Sequence, residues 1–557
     1  MESGDRQTEL PRAELPHALI PCLLLATGLL LYLPWLGSYG PLDPTDSFFI
    51  ESGREAFATN QYLLPLQNYK PWLDKPILYF WSVAGTYQLL GVNPFAGRLV
   101  SALSAVYIGL STYFFAWPYI GRREAAIGAA IFMTLPLTCA IGHLSLTDMP
   151  LTALMSTALF AIFHFEKSGK LSACLIAYVA LALAFLCKGP IAVIIAAAIY
   201  GLYLFLTNKL SDIPSRIMKA RPLLGLAIMF AINLPWYTMA TIGTNGLFLK
   251  DFFITQNFGR MVGAVNHQQP FWFYIPVVLG GLFPWSLLVI TAAVEAIIKY
   301  GSTLKAKAIG AWAARNSLND RQAFLFFMAI WAIFVLALFT AIKTKLPTYI
   351  LPGIPPLAVL IGILVSRLAD NSKHVLKVAT TTALILICAT VAGIIFKANS
   401  TNGWVQLFLT GSKTILYTAL ATAVVVLVLF IAKKRREAIG LLLGGTVLFT
   451  ALLVPFGHIA FYKERQEPFE RLIQQIQAAN ADIATVVVEA PSLSYFLHRR
   501  VEPLKDSDEA DKYLQGGKKP HYLLVPKEIP ESLKWFKTEP RQIGKTKNGK
   551  WTLYTLD

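Results

Sequence analysis

Charge is scarce in this chain. Asp, Glu, Lys and Arg make up 15% of its 557 residues against 55% hydrophobic ones, and mean hydropathy is +0.53. That balance excludes a soluble globular protein and a disordered one. Acid is the scarcer sign, with 32 Asp and Glu against 49 Lys and Arg, a net charge of +17. The excess cations sit mostly in short loops between apolar runs and form no basic tail. This is the pattern that orients membrane spans, and it argues against a nucleic-acid partner. Cysteine is nearly missing. Cys22, Cys139, Cys174, Cys187 and Cys388 lie within or beside apolar runs at no metal-ligand spacing, so they read as small buried residues. Internal repeats, coiled-coil heptads and low-complexity linkers are absent.

What the chain has instead is long apolar runs. They fall near 18–36, 96–118, 124–142, 149–165, 171–187, 189–206, 222–242, 271–298, 322–341, 347–366, 375–396, 414–432 and 438–457. A span needs about 20 apolar residues, so about thirteen spans are expected. The first lacks a small-residue cleavage site and reads as a retained helix. Cations at 122–123, 167–170, 209–221, 299–321, 367–377 and 433–436 share one face if the N-terminus is cytoplasmic. The other face then receives 37–75, 143–148, Lys188, 243–270, 342–346, 397–413 and the C-terminal segment. The predicted organisation is a polytopic helix bundle over 1–460, with a long first outer loop (37–95), and a soluble α/β domain over 461–557. Strands are expected at 485–489 and 522–525, helices near 468–479 and 507–514. In the first loop, 51–58 and 76–90 predict short juxtamembrane helices.

The unusual charges gather on that outer face. Lys188 is the one charge in the apolar stretch 171–205 and falls at a Lys-Gly-Pro hinge. A charge near hydrocarbon costs roughly 2.5–3.5 kcal/mol at the bilayer centre, so it marks a functional candidate, with a snorkelling helix-end lysine as the plainer alternative. Asp43, Asp46 and Glu51 follow the first span, and Asp46 is expected to N-cap a helix. Asp74-Lys75-Pro76 forms a turn, and Asp148 is expected to N-cap the fourth span. Lys345 and Tyr349 open a later span, and Asn257, Arg260 and His267 lie in a long loop. Each motif alone has a plain structural explanation. Together, cations at this depth suit a lipid-linked phosphate, and the neighbouring acids suit base catalysis. The paired acids also permit a divalent metal, though without diagnostic spacing.

The stretches LTDMPLTAL, FLCKGPIAV, HQQPFWFYIPVVLGGLFPWSLL and KTKLPTYILP resemble those of the aminoarabinose lipid A transferases. These are bacterial GT-C membrane glycosyltransferases akin to protein O-mannosyltransferases. The resemblance runs over about 33–360. It implies a polyprenyl-phosphate sugar donor, transfer on the periplasmic face of the inner membrane, and an acid of the first outer loop as base. The family pattern there is Asp-Glu, an aromatic, a Glu and Arg-Glu. Glu51, Arg54 and Glu55 match it; the Asp-Glu pair does not. An ungapped count places Thr45-Asp46 at the pair, whereas a two-residue insertion places Asp43 first. Asp43 is preferred by residue type, with Asp46 next. The resemblance also implies that Lys75, Lys188 and Tyr349 contact the donor phosphate, joined by Arg260 and Lys345, with Asp148 in the catalytic set. Asp74, Glu51, Asn257 and His267 would line the pocket. Asn257 stands where these enzymes usually carry histidine.

The expected activity is therefore an inverting transfer of 4-amino-4-deoxy-L-arabinose or a similar sugar to lipid A or a related envelope glycolipid. The alternatives are transfer to protein Ser/Thr, a lipid-linked sugar transporter, and an inactive scaffold.

Overall fold

The computed structural model describes residues 18–43, 45–208, 210–259, 268–286, 289–290, 318–370, most of 421–461, 467–486, 490–505, 507–515, 521–526, 541–545 and 551–555. Among these, six helices are long and apolar enough to cross a membrane, seven if one bent pair counts as a single span. Of the expected spans, 375–396 lies outside the described residues, and 271–298 and 414–432 are described only in part. The fold is mainly helical with a small mixed sheet near the C-terminus.

The bundle begins with α1 (Leu19–Tyr32), α2 (Thr45–Thr59), α3 (Leu78–Leu90) and α4 (Pro94–Ile120). It continues with α5 (Arg122–Thr134), α6 (Pro136–Gly142), α7 (Asp148–Ser168), α8 (Leu171–Lys188), α9 (Ile191–Thr207), α10 (Ile213–Lys219) and α11 (Pro222–Gly243). Asn93 starts α4, its side chain accepting from the Ala96 N–H at 2.9 Å with proline next in line. Leu135-Pro136 breaks the expected span 124–142 into α5 and α6, which meet at 58°. Later spans run over Asp320–Ala341, opened by an Asn319/Gln322 capping box, and over Pro347–Arg367. α5 crosses the helix Ile354–Asp370 closely, because Gly128 and Gly362 meet there. A Cβ on Gly362 would stand 2.6 Å from the Gly128 nitrogen. On α11, Leu226, Phe230, Leu234 and Ile242 point outward and exposed, the surface a helix presents to hydrocarbon.

The ends of the helices segregate charge. Glu166 pairs with Arg216 at 2.5 Å, Lys167 with Asp320 at 2.9 Å, and Arg321 with Glu124 at 3.2 Å. These join four of the loops expected on the cytoplasmic face, at 122–123, 167–170, 209–221 and 299–321. Asp148 and Lys188 lie at the opposite ends of α7 and α8.

Two expectations for the first outer loop are corrected. The helix is longer than 51–58, and Asp46 sits inside its first turn instead of capping it. α3 does not simply float on the membrane surface: Tyr79, Phe80, Val83 and Tyr87 are buried, and it packs on α2, α4 and α8. Asp148 is likewise the first residue of α7, behind Thr147, and no side-chain cap closes that helix. Cys139, Cys174 and Cys187 are buried as expected, but Cys22 is exposed on α1 and Cys388 lies outside the described residues.

Arg98 fixes the loop. It is fully buried, and all five of its N–H donors are used. Nη1 donates to the Leu36 and Tyr39 carbonyls, both at 2.9 Å; Nη2 donates to Gly40 O at 2.8 Å and Asp46 Oδ2 at 2.6 Å; Nε donates to Asp46 Oδ1 at 3.1 Å. Asp46 also accepts from the Leu42 N–H at 3.0 Å and the Ser145 N–H at 2.6 Å. One buried pair thus ties the loop after α1 to α2, to α4 and to the α6–α7 connection.

The C-terminal unit has a five-stranded sheet: β3 (Asp482–Val486), β4 (Glu502–Leu504), β5 (His521–Pro526), β6 (Arg541–Lys545) and β7 (Trp551–Thr555), in the order β4-β3-β5-β7-β6. β3 pairs parallel with β4 and β5, while β7 pairs antiparallel with β5 and β6. Helices Glu467–Ala478, Pro491–Leu497 and Ser507–Gln515 accompany it. Helix Pro491–Leu497 packs against α2, and Asn68 exchanges two hydrogen bonds with the Val501 backbone. Asn68 sits in the tight turn between β1 (Leu66–Gln67) and β2 (Lys70–Pro71).

Replacing Arg98 by Ala should destabilise the protein by about 3–5 kcal/mol, because it strands Asp46 as a buried charge. Arg98→Lys should recover only part of that loss, having three donors and no planar fork. Thermal unfolding in detergent measures both, and an unchanged midpoint in Arg98→Ala would contradict this role.

Candidate functional site

The expected site residues fall into two groups on either side of the segment 145–148. Asp46 reaches the Ser145 N–H at one end, and Asp148 begins α7 at the other. Tyr79 holds the segment in place, its hydroxyl 3.0 Å from Ser145 Oγ and 3.1 Å from Ser101 Oγ.

Lys188 anchors the first group. Its Nζ donates to Asp148 Oδ1 at 2.8 Å and lies 5.5 Å from the centre of the Tyr349 ring. Three elements meet there: α7, α8 and the 3-10 turn Pro347–Gly353. Gly189 makes the turn after Lys188 at φ +90, and the Phe252 ring would stand 2.6 Å from any Cβ at that position. Only glycine fits both constraints. Beside this cluster, α3, α4, α7 and α8 enclose a groove of about 560 Å³. Its walls include Leu78, Tyr107, Leu154, Ile176 and Leu183, and Cys187, next to Lys188, also lines it. An apolar groove of this kind suits a hydrocarbon tail.

Lys345 is buried and differently engaged. It donates to the carbonyls of Ile342 and, at 3.4 Å, Gln269, which joins 268–270 to 342–346. Two of its three donors are thus spent on backbone, and one remains for an anion. Asp74 and Lys75 are half-buried at the turn ahead of α3, each engaged with neighbouring groups. Asn257 falls in the π-helical segment Lys250–Gly259, and Arg260 and His267 lie outside the described residues.

The acids form the second group, and their surroundings separate them. A carboxylate offers about four acceptor positions. Asp46 uses all four, on Arg98 Nε, Arg98 Nη2, Leu42 N–H and Ser145 N–H, and is 3% exposed. These four bonds engage it in holding the loop. Asp43 is half-buried and uses three. Oδ1 accepts from Ser47 Oγ at 2.5 Å and from the Ser492 N–H at 3.1 Å, and Oδ2 accepts from Ser492 Oγ. Among the described residues, one position on Oδ2 stays open. Burial raises the Asp43 carboxyl above the usual range, opposed by the Ser47 and Ser492 hydrogen bonds.

Glu51 is not a free pocket acid. It takes a bidentate grip from Arg54, with both contacts at 2.7 Å, and is 1% exposed. Arg54 also donates to the Tyr69 hydroxyl at 2.8 Å, and Glu55 accepts from the Tyr69 N–H at 2.9 Å. Burial, countered by Arg54, pushes Glu51 from 4.5 up to about 8, and burial raises Glu55 too. Among the described residues no group of three or more His, Cys, Asp or Glu could hold a metal ion.

Sequence reasoning passed over Arg98, Ser145 and Ser492. Arg98 carried a usable signal, as the one charge in the apolar run 94–120. Ser145 and Ser492 carried none, since their contacts form across 99 and 449 positions of chain.

Residues 74–238 match the family described as dolichyl-phosphate-mannose-protein mannosyltransferase. The fold agrees with the crystal structure of ArnT from Cupriavidus metallidurans bound to undecaprenyl phosphate. The TM-score is 0.79 at 19% identity, over 97% of this chain and 98% of that one. At that identity the likeness shows an ArnT-like fold. Two curated relatives are named undecaprenyl phosphate-alpha-4-amino-4-deoxy-L-arabinose arabinosyl transferase 1. The Pseudomonas fluorescens protein is 28% identical over 64% of this chain and 61% of its own length. The Sodalis glossinidius protein is 28% identical over 70% of this chain and 66% of its own. The match thus spans just under two thirds of each of these relatives.

The raised Glu51 gives this ArnT-like chain a pH-dependent stability. Between its unfolded value near 4.5 and its folded value near 8, the folded state keeps a proton that the unfolded chain has released. The contribution is full below the lower value and is lost as pH rises through the upper one. Thermal midpoints in detergent should therefore fall between pH 6 and pH 9, and Glu51→Gln should flatten that fall. An equally steep fall in Glu51→Gln would contradict the assignment.

Proposed function

We propose that this chain transfers a monosaccharide from a polyprenyl phosphate to lipid A or a related envelope glycolipid, on the periplasmic face of a bacterial inner membrane. The sugar is 4-amino-4-deoxy-L-arabinose or a close analogue. The observation that carries the reading is Lys188, paired with Asp148 and 5.5 Å from the Tyr349 ring centre, with its neighbour Cys187 in the wall of the apolar groove. The names of the relatives support the sugar and the donor.

In this reading the polyprenyl tail occupies apolar surface and the phosphate meets Lys188, with Tyr349, Lys75, Lys345 and Arg260 as further phosphate contacts. An acceptor hydroxyl or phosphate gives its proton, if it has one, to the open position on Asp43 Oδ2. Its oxygen then attacks the anomeric carbon. The bond from that carbon to the phosphate oxygen breaks, and the electron pair leaves with polyprenyl phosphate. One displacement inverts the configuration. Lys188 stabilises negative charge as it grows on the departing phosphate, and Asp148 keeps the ammonium in place. The acids and the lysine lie on either side of 145–148, a segment fixed at both ends, which orients the groups before substrate arrives. Transfer to protein Ser/Thr is the second reading, favoured by the description of the family matched over 74–238.

The test uses purified protein in lipid, radiolabelled polyprenyl-phosphate sugars and a membrane-lipid extract. Release of polyprenyl phosphate with label in a new lipid is expected. Label in protein would transfer the conclusion to the second reading, and transport of intact donor without release would overturn both. Lys188→Ala should lower kcat/KM by roughly 100-fold or more, the size of losing one preorganised charge stabiliser. Full activity in a folded Lys188→Ala protein would remove the phosphate role.

A further inference from the structure

The acid offered as base does not belong to the membrane bundle alone. Asp43 lies between α1 and α2, yet two of its three hydrogen bonds come from Ser492, on the helix Pro491–Leu497 of the C-terminal unit. Ser492 is 1% exposed. Its N–H fixes Oδ1 and its hydroxyl fixes Oδ2, so both carboxylate oxygens are held and the plane of the group is set. The third bond, from Ser47 Oγ, restrains Oδ1 only. Without Ser492 nothing described would define where Oδ2, the oxygen with the open position, points.

The helix bearing Ser492 is itself well seated. It packs on α2, and the neighbouring strand region is clamped by Asn68 on the Val501 backbone, with the Val501 N–H donating at 2.9 Å. Two separated attachments give the contact a definite orientation.

We propose that Ser492 is a positioning residue for Asp43, so that the C-terminal domain completes the catalytic loop of the membrane domain. This rests on the reading of Asp43 as base. Donors to a carboxylate favour its charged form, so Ser492 also sets the pH at which Asp43 becomes competent. The charged group set against Asp43 among the described residues is Asp46, whose own charge is neutralised by Arg98. The helix Pro491–Leu497 carries no charged residue of its own.

The experiment compares full-length wild type, Ser492→Ala, Ser492→Thr and Asp43→Asn in lipid. The probes are radiolabelled undecaprenyl-phosphate aminoarabinose and lipid A. Ser492→Ala should lower kcat about tenfold with KM within about twofold, and move the acid limb of the pH–rate profile up by about one pH unit. Ser492→Thr keeps a hydroxyl and should restore both. A lower kcat with an unmoved limb, or a Thr variant as poor as Ala, means a merely structural contact and overturns the proposal. Asp43→Asn separates the two claims. If it is inactive while Ser492→Ala equals wild type, the base reading stands and the positioning role falls. If it retains full kcat, the base reading falls and takes the positioning role with it. A second readout needs no turnover. The pH dependence of the thermal midpoint, taken as wild type minus Asp43→Asn, reports the Asp43 titration. Ser492→Ala should move that difference curve up by about one pH unit; an unmoved curve contradicts the proposal even for a chain inactive on this substrate pair.

Discussion

The Arg98–Asp46 pair is the constraint on which the outer face depends. A guanidinium and a carboxylate removed from water carry a large desolvation cost, and such a pair persists only when every donor and acceptor is satisfied. Here five donors and four acceptors are all engaged. The pair is therefore specific more than adhesive. Any shift of the 36–46 loop, of α2 or of the 145 turn would leave a buried polar group unpaired, so only one arrangement of the three is tolerated. That arrangement puts Asp43 just beyond the pair and Asp148 three residues past Ser145.

Two kinds of acid result from neighbours that differ only slightly. Asp43 and Asp46 lie three positions apart, and the sequence ranked Asp43 first only by residue type in the family pattern. Asp46 meets an arginine and two amides and is saturated. Asp43 meets two serines and keeps one position open. Hydroxyl and amide donors orient a carboxylate without neutralising it, whereas a bidentate arginine fixes its charge for structural use. Glu51 is likewise gripped by an arginine, Arg54, but there burial outweighs the arginine and raises the carboxyl to about 8.

The helix bundle, the hinge at Lys188 and the α/β composition of the C-terminal unit were legible because each rests on local sequence. Apolar length defines a span, Lys-Gly-Pro breaks one, and alternation with turns marks short strands. The strands expected at 485–489 and 522–525 lie at Asp482–Val486 and His521–Pro526. The capping roles expected for Asp46 and Asp148 were misread because helix propensity treats an acid at a helix start as a cap, while in this fold tertiary partners claimed both carboxylates. Arg98 was legible by the same reasoning that singled out Lys188, a lone charge in an apolar run. Ser492 was not legible at all, since a serine some 450 positions away acquires meaning only when the C-terminal domain docks.

In the proposed transfer, that docking bears on what the C-terminal domain contributes. A base on a surface loop would be reoriented by water and would need to be ordered with each turnover. On that proposal, helices in the bilayer fix the phosphate end of the site, because α7 and α8 deliver Asp148 and Lys188 from rigid ends. They cannot fix the acceptor end, which must stay accessible from outside the membrane. A folded domain seated at two points on the loop supplies the missing rigidity from above. It leaves the open side of Asp43 to the acceptor and fixes only the side that the acceptor does not use.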